Sequence, residues 1–171
     1  MFEYRYKTDL KTRYLTAIHF FVFIAIAAAL CILVDGSYIL AWFISIVIAV
    51  IALMALSIPR RIILSDEGIE ICCISDYTHI PYKEIASIRK VSADDMKFVM
   101  PIFAASGFFG YYGSFIDFKS WDFVKIYASK WKNFVEITDI YEDKYYISCD
   151  KGEELIRGVE SCASLKTDSN E

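Results

Sequence analysis

Two uninterrupted apolar runs dominate the first third of the chain. They cover residues 14–34 and residues 38–58, and neither contains Asp, Glu, Lys or Arg. A helix rises about 1.5 Å per residue, so each run is long enough to cross about 30 Å of hydrocarbon. Because only the turn residues Asp35, Gly36 and Ser37 separate the runs, the pattern predicts a hairpin of two antiparallel transmembrane helices.

The charges that flank these runs predict their orientation. Four Lys or Arg residues lie within residues 1–13, Arg60 and Arg61 follow the second run, and the connecting turn carries no positive charge. Positive residues accumulate on the cytoplasmic side of a membrane. We therefore expect a multi-pass protein of the inner (cytoplasmic) membrane whose N- and C-termini are both cytoplasmic. A cleaved signal peptide is not expected, because the first run is too long and a second one follows at once.

Beyond the second run, short β-branched segments alternate with turn-forming clusters. Residues 60–64 and 69–74 predict a β-hairpin around the turn Ser65–Gly68. Further strands are predicted in four segments: residues 85–91, 122–128, 134–138 and 144–148. This succession of short strands favours a meander of antiparallel strands.

Near the end of the chain, a period of three and four residues replaces the strand pattern. It predicts a helix with one buried face, and its apolar positions are Leu155, Ile156, Val159, Cys162 and Ala163. The resulting fold class is α+β. A cytoplasmic N-terminal segment (residues 1–13) precedes the hairpin (residues 14–58), a strand-rich domain with a C-terminal capping helix covers residues 59–165, and residues 166–171 form a flexible tail.

Residues 98–116 can be interpreted in two ways, because this stretch contains no charged residue. A third membrane span is the alternative, but Pro101, Gly107 and Gly110 lower its hydropathy. A third crossing would also put the Lys-rich strands that follow outside the cell. We expect an aromatic, glycine-punctuated loop and strand that packs on the domain or lies against the bilayer.

Charge is distributed unevenly along the chain. Residues 59–171 hold 14 of the 18 Lys and Arg residues and 19 of the 22 Asp and Glu residues, so the strand-rich part is acidic. A nucleic-acid partner is not expected, because contacts with phosphates need a clustered Lys and Arg surface.

Reactive side chains form no recognisable constellation. The five cysteines include no CxxC pair, and with only two histidines a metal site is not expected. His79 and Asp76 match no catalytic motif, and the paired acids Asp94 and Asp95 have the composition of a solvated turn. We therefore expect no catalytic residues, no cofactor and no metal. An unrecognised enzyme remains an alternative without a motif to support it.

Four short motifs carry a family resemblance. They are FGYYGSF (Phe109–Phe115), KIYAS (Lys125–Ser129), NFVEIT (Asn133–Thr138) and YIS (Tyr146–Ser148). Their order after two membrane helices resembles the bacterial pleckstrin-homology (PH)-like domain families that have two N-terminal transmembrane helices. The resemblance covers about residues 60–165. Cys149 stands where the family commonly has a proline after the Ile-Ser pair.

The resemblance implies a bent antiparallel β-sandwich or partly open barrel, closed at one end by the C-terminal helix. It also implies binding or assembly at a membrane without known chemistry. In the eukaryotic lipid-binding relatives, Lys and Arg in the loop between the first two strands recognise phosphoinositides. The corresponding loop here, Ser65–Gly68, contains Asp66 and Glu67 and would repel a phosphate. A phosphoinositide headgroup is therefore not expected as a ligand.

These patterns together predict a membrane-anchored, non-enzymatic binding or assembly module. It would be embedded in the lipid bilayer and would contact a protein partner or a second copy of itself as a homo-oligomer. Lipid-surface sensing through residues 98–116 is the alternative. The candidate interaction surface consists of aromatic and glycine residues of that segment: Phe108, Phe109, Gly110, Tyr111, Tyr112, Gly113 and Phe115.

Overall fold

The computed structural model describes residues 3–33, 37–74, 77–92 and 94–167 of the chain. In chain order its helices and strands are β1 (Glu3–Arg5), α1 (Leu10–Leu33), α2 (Ser37–Leu56), β2 (Pro59–Leu64), β3 (Gly68–Cys73), β4 (Tyr77–Pro81), β5 (Ile85–Val91), β6 (Val99–Ser106), β7 (Tyr111–Asp117), β8 (Asp122–Ala128), β9 (Phe134–Asp139), β10 (Lys144–Ser148) and α3 (Gly152–Thr167). Short 3-10 turns, Tyr82–Glu84 and Asp95–Phe98, precede β5 and β6. This order places both long helices between the first and second strands.

The helices α1 and α2 are both long and apolar enough to cross a membrane. Their most apolar windows have mean hydropathies of 2.5 and 2.9, and only 6% and 0% of these windows are buried inside the structure. A core helix that is hydrophobic all round would be largely buried in a soluble domain. The exposure of these two helices is instead typical of helices that face lipid.

Helix α1 begins at Leu10, ahead of the apolar run that predicts it. Asp9 explains the earlier start, because its Oδ1 accepts a hydrogen bond from the backbone N–H of Thr12 at 2.9 Å, as an N-cap side chain does. Burial raises the pKa of the Asp9 carboxyl, but hydrogen bonds from Thr12 outweigh this effect and bring the pKa below its usual value. The predicted turn residues Asp35 and Gly36 lie outside the described residues.

Four antiparallel strands form the first sheet, in the order β1-β2-β3-β4. The predicted hairpin of β2 and β3 is confirmed, and the N–H of Ser65 donates to the carbonyl oxygen of Gly68 at 3.0 Å across its turn. The sequence pattern does not predict β1, because three residues are too few to show a period. This strand pairs with β2, with Tyr4 opposite Ile62. The apolar hairpin is therefore an insertion between two neighbouring strands.

Six strands form the second sheet, in the order β5-β9-β10-β8-β7-β6. The bounds of β5, β8 and β10 agree with the predicted segments. The expectation of an antiparallel meander is wrong at one place, because β8 and β10 pair in parallel, with Ile126 opposite Tyr146. Strand β9 lies beyond β10, so the loop of residues 129–133 has to cross two strand spacings, about 10 Å, to reach it from β8.

Residues 98–116 contain two strands and the turn between them. Strands β6 and β7 are antiparallel partners, from Val99 opposite Asp117 to Ser106 opposite Tyr111. The alternative of a third transmembrane helix is therefore wrong. Strand β6 is one edge of the second sheet, so its outer side has no neighbouring strand among the described residues.

The two sheets are open, not closed into a barrel, and each contributes to a buried cluster. The first cluster joins the first sheet to β9 and β10 of the second sheet and to α3, whose Leu155 and Val159 are 0% and 2% exposed. The predicted buried face of the C-terminal helix is thereby confirmed. The second cluster lies in the second sheet around Phe115, Phe134 and Ile126, which are fully buried.

The substitution Tyr4→Ala tests whether β1 belongs to the domain. Tyr4 is 8% exposed in the first cluster, and its hydroxyl donates to Oδ2 of Asp150 at 3.3 Å. We expect the free energy of unfolding of the full chain in detergent to fall by about 3 kcal/mol, because a cavity remains and one hydrogen bond to Asp150 is lost. Tyr141→Ala, at a tyrosine that is 71% exposed, is the matched control. Equal effects of both substitutions in urea unfolding would contradict the assignment.

Candidate functional site

The first two turns of α1 are held by two loops of the second sheet. Thr12 and Thr16, which are 1% and 7% exposed, are the buried residues of this helix. They contact the tip between β6 and β7 (residues 107–110) and the loop between β8 and β9 (residues 129–133). We call the two threonines and these two loops the docking site, because they join the apolar hairpin to the strand-rich domain.

Thr16 forms hydrogen bonds with both sides of the tip. Its Oγ1 accepts a hydrogen bond from the backbone N–H of Phe109 at 2.9 Å and lies 3.1 Å from the carbonyl oxygen of Gly107. The hydroxyl proton is shared between this carbonyl and that of Thr12, which is 2.9 Å away and one turn earlier in the helix. One side chain thus satisfies both a donor and an acceptor of a tight turn whose surroundings are otherwise apolar.

The conformation of the tip depends on glycine. Gly107 has a φ of +84°, and a Cβ atom there would lie 2.9 Å from Cδ1 of Leu15. The tip closes with a hydrogen bond from the N–H of Gly107 to the carbonyl oxygen of Gly110 at 2.8 Å. Phe109 adopts a φ of 56° although it has a Cβ atom, and the hydrogen bond to Thr16 holds it there. The close approach of Gly107 brings the whole tip within reach of α1.

Aromatic packing seals the contact between the tip and the helix. The ring of Phe108 lies 5.5 Å from that of Phe20 and 5.8 Å from that of His19, both on α1. It also lies 4.8 Å from the ring of Phe109. Since Phe108 is 3% exposed, these rings bury the hydrogen bonds of the neighbouring turn.

Ser129 ties three segments of the chain together. Its carbonyl oxygen accepts a hydrogen bond from Oγ1 of Thr12 at 3.1 Å, and its Oγ donates to the carbonyl oxygen of Lys7 at 3.0 Å. Its backbone N–H donates to Oγ of Ser148 at 3.0 Å. Because Ser129 is 4% exposed, water does not compete for these bonds. The segment that leads from β1 into α1 is therefore fixed on the domain.

The second helix is held near its C-terminal end. The hydroxyl of Tyr112 donates to the carbonyl oxygen of Met54 at 2.8 Å. Met54 belongs to the last turn of α2, and its carbonyl oxygen also accepts a hydrogen bond from the backbone N–H of Ser57 at 3.2 Å. Burial raises the pKa of the Tyr112 hydroxyl, so the group remains a donor at physiological pH. Both helices thus contact the hairpin of β6 and β7, α1 at its tip and α2 at Tyr112 of β7.

An ion pair between a buried lysine and an exposed aspartate holds the loop between β8 and β9 from its other side. Lys130, which is 6% exposed, pairs with Asp150 just before α3. Asp150 also accepts a hydrogen bond from Nδ2 of Asn133 at 2.8 Å. The hydrogen bond from Lys130 is the main reason that the pKa of the Asp150 carboxyl lies below its usual value. This pair links the docking site to the start of the C-terminal helix.

The buried carboxylate of Glu136 is the group that most resembles a catalytic one. It is 4% exposed, and it accepts two hydrogen bonds of 2.9 Å from Arg89 and one of 2.8 Å from the hydroxyl of Tyr146. Burial raises its pKa, but these donors outweigh burial and lower the pKa. Such complete pairing within the domain is typical of a structural ion pair. Within the described part of the chain, no group of three or more His, Cys, Asp or Glu is arranged to hold a metal ion.

The predicted interaction surface is largely occupied by the chain itself. Its seven residues divide as follows: Phe108, Gly110, Tyr111, Tyr112 and Phe115 are buried, and Phe109 and Gly113 are partly buried. The structure brings the tip residues together with α1, and Tyr112 with α2. Phe115 lies in the second cluster, and the ring of Tyr111 lies 4.9 Å from that of Trp131. A role of these residues in binding a partner stays a prediction.

Sequence reasoning missed a different apolar surface, which begins within residues 98–116 and continues beyond them. Its side chains come from the end of the 3-10 turn before β6, from β6, from the turn between β7 and β8, and from β8: Phe98, Met100, Ile102, Phe103, Phe118, Trp121 and Phe123. We call it the β6 surface. Phe103 is 84% exposed, because β6 is an edge strand and a bulge between Pro101 and Phe103 interrupts its alternation. No local pattern in the sequence indicates which strand becomes the edge.

These contacts define the class of protein: a PH-like domain of two open sheets and a C-terminal helix, carried on a hairpin of two apolar helices. The chain belongs to the bacterial PH domain family, whose family model matches residues 60–163. Comparisons with curated proteins and with solved structures found no match. The matched residues include both loops of the docking site and begin after β1, α1 and α2.

The substitution Thr16→Val tests the docking site. Valine has the shape of threonine but leaves the N–H of Phe109 without its partner, so we expect the free energy of unfolding to fall by about 1–3 kcal/mol. Thr8→Val, at an exposed threonine before α1, is the matched control. Unfolding of the full chain in detergent is the measurement. Indistinguishable stabilities of the two variants would rule out the proposed contribution of Thr16.

Proposed function

We propose that this chain is a membrane-anchored, non-enzymatic binding module that contacts a protein partner through the β6 surface. In this proposal the two helices cross the inner membrane and the PH-like domain lies on its cytoplasmic side. The observation that supports it most is the docking site, because it fixes the domain to the hairpin. The same surface is then presented at a constant distance from the bilayer. Catalysis is not part of the proposal.

The membrane placement rests on the helices and their flanks. Both helices are apolar and exposed, and the Lys and Arg residues nearest to them lie at the end that carries the domain. Removal of α1 as a signal peptide would detach β1 from the first sheet. It would also remove Thr12 and Thr16 from the docking site. These losses favour an uncleaved hairpin.

The docking site also supports a particular depth of the domain. Helix α1 has 24 residues and is about 36 Å long, so a hydrocarbon core of about 30 Å takes up most of it. Thr16 then lies near the boundary between headgroups and hydrocarbon, and so does the tip of residues 107–110. Backbone groups at that depth need partners within the protein, and Thr16 provides them.

The β6 surface has the composition of a contact site. Exposed apolar patches mark interaction surfaces, and aromatic residues such as Phe103 and Trp121 are frequent anchors of interfaces. The ring of Trp121 packs edge-to-face on that of Phe118 at 5.2 Å, so this anchor is already oriented. An ion pair between Lys119 and Asp95 at 3.5 Å lies beside it and provides a polar border.

Docking by side chains is favoured over addition of a strand. Pro101 lacks an N–H group, and the bulge between Pro101 and Phe103 interrupts the edge of β6. A partner therefore has to cover the exposed rings instead of extending the sheet. Because the domain is fixed at the bilayer, we propose that this partner is another membrane-anchored protein with a complementary apolar patch.

Lipid-surface sensing through residues 98–116 is the second candidate function. It is favoured by the exposure of Met100, Ile102 and Phe103, which belong to this segment. The tip has less exposed apolar surface for contact with lipid, since Phe108 is packed against α1. The two functions place different molecules on the β6 surface, so one experiment separates them.

A photoreactive residue at position 103 of the full chain, in native membranes, tests the proposal. We expect a discrete protein adduct from position 103 and none from position 160, where Glu160 is exposed on α3. Adding Trp121→Ser should reduce the adduct about fivefold, because it removes a neighbouring anchor.

The products decide between the candidates. A heteromeric adduct that depends on Trp121 supports the membrane-anchored partner, and an adduct between two copies of the chain identifies the partner as a second copy. Adducts with lipid alone contradict the protein-binding proposal and support lipid-surface sensing.

A further inference from the structure

Three of the six arginines of the chain line one cavity beside the end of α2. Arg5 comes from β1, and Arg60 and Arg61 come from β2. The cavity has a volume of about 440 Å³, and its remaining lining residues are Cys72, Cys73 and Ile74. The strand-rich part of the chain has more acidic than basic residues. A cluster of three arginines is therefore not expected there from composition alone.

The pairing of β1 and β2 and a bulge in β2 bring the side chains of the three arginines to the same cavity. Arg5 and Arg61 are direct cross-strand neighbours. Successive residues of a regular strand point to opposite faces, which would turn Arg60 away from Arg61. A bulge prevents this, because Pro59 and Arg61 pair with consecutive residues of β3 and Arg60 is the extra residue between them. Arg60 and Arg61 are therefore both exposed, and both reach the cavity.

The repulsion among these arginines is only partly offset. Like charges opposite each other in a sheet are destabilising. A carboxylate oxygen of Glu3 lies 3.1 Å from Nε of Arg5 and 3.8 Å from a guanidinium nitrogen of Arg61. Arg60 forms no ion pair with any residue that the structure describes. Among the described residues, the cavity thus keeps a net positive charge that a bound anion would offset.

The position of the cavity is close to the end of α2. Arg60 follows Leu56, the last residue of that helix, by four residues, so its Cα atom lies within about 14 Å of the helix end. Long arginine side chains extend from such positions towards lipid headgroups. The acidic turn with Asp66 and Glu67 lies at the opposite end of β2, away from α1 and α2.

We propose that Arg5, Arg60 and Arg61 bind the phosphate group of an acidic phospholipid headgroup. Guanidinium groups bind phosphate oxygens through paired, charge-assisted hydrogen bonds, and these three approach the cavity from two strands. The site is distinct from the loop Ser65–Gly68. The inference rests on the membrane placement proposed above, and it is independent of the β6 surface and its partner.

Thermal unfolding of the full chain in a neutral detergent tests this site, with added short-chain phosphatidylglycerol or phosphatidylcholine. We expect phosphatidylglycerol to raise the Tm in a saturable manner and phosphatidylcholine to leave it unchanged, because a ligand of the folded state stabilises that state. In the variant Arg60→Gln/Arg61→Gln, the apparent Kd for phosphatidylglycerol should rise about tenfold or more.

The matched control is Arg157→Gln/Lys151→Gln, which removes two exposed charges on and beside α3. It should bind phosphatidylglycerol as the unmodified chain does. Equal responses of the chain to the two lipids would overturn the site. Unchanged binding of phosphatidylglycerol by Arg60→Gln/Arg61→Gln would overturn it as well.

Inorganic phosphate and glycerol phosphate distinguish a lipid from a soluble phosphate. At the concentration at which phosphatidylglycerol saturates, we expect neither to raise the Tm. If either raises it as much as the lipid does, the assignment to a lipid headgroup is overturned.

If the double variant does not fold, Arg5→Gln is tested in its place. This substitution changes the same cavity from β1 and leaves the bulge in β2 intact. Weaker binding of phosphatidylglycerol, with an unchanged Tm in the absence of lipid, is expected, and unchanged binding would overturn the site. The adduct formed from position 103 does not involve these arginines. Failure of the lipid site is therefore distinguishable from failure of the proposed function.

Discussion

The hydroxyl of Thr16 is the interaction on which the arrangement of this protein depends. In the proposed membrane placement, the tip between β6 and β7 lies where lipid meets the domain, and its backbone groups need partners there. Thr16 provides one for the N–H of Phe109 and one for the carbonyl of Gly107. The same turn packs Phe108 on Phe20. Hydrogen bonds and ring packing therefore fix the position of the tip relative to α1. The hairpin and the domain are thus one unit.

The course of the chain reinforces this contact. The hairpin leaves the domain after β1 and returns at β2, and these two strands are neighbours in the first sheet. Each helix also has its own hydrogen bond to the β6–β7 pair, so the domain does not turn about a single linker. A domain held in this way presents the arginine cavity and the β6 surface at fixed positions. The arginine cavity lies on the first sheet and the β6 surface on the second.

Features with a local signal could be predicted from the sequence, and features that depend on distant residues could not. The apolar runs, the turn Ser65–Gly68, the bounds of β8 and β10, and the period of α3 each leave a pattern in consecutive residues. The parallel pairing of β8 with β10 depends on where β9 inserts, and the exposure of Phe103 depends on the edge position of β6. Thr16 resembles any polar residue tolerated in an apolar run, because the tip that it binds lies 93 positions later.

Amide hydrogen exchange of the full chain in phospholipid nanodiscs tests the central claim most directly. If α1 holds the tip, the N–H groups of Gly107 and Phe109 are both hydrogen-bonded, and their residues are buried and partly buried. They should then exchange as slowly as those of β7, which open only with the domain. Exchange at the rate of a free loop, with β7 still protected, would contradict the account. The hairpin and the domain would then be joined by their chain connections alone.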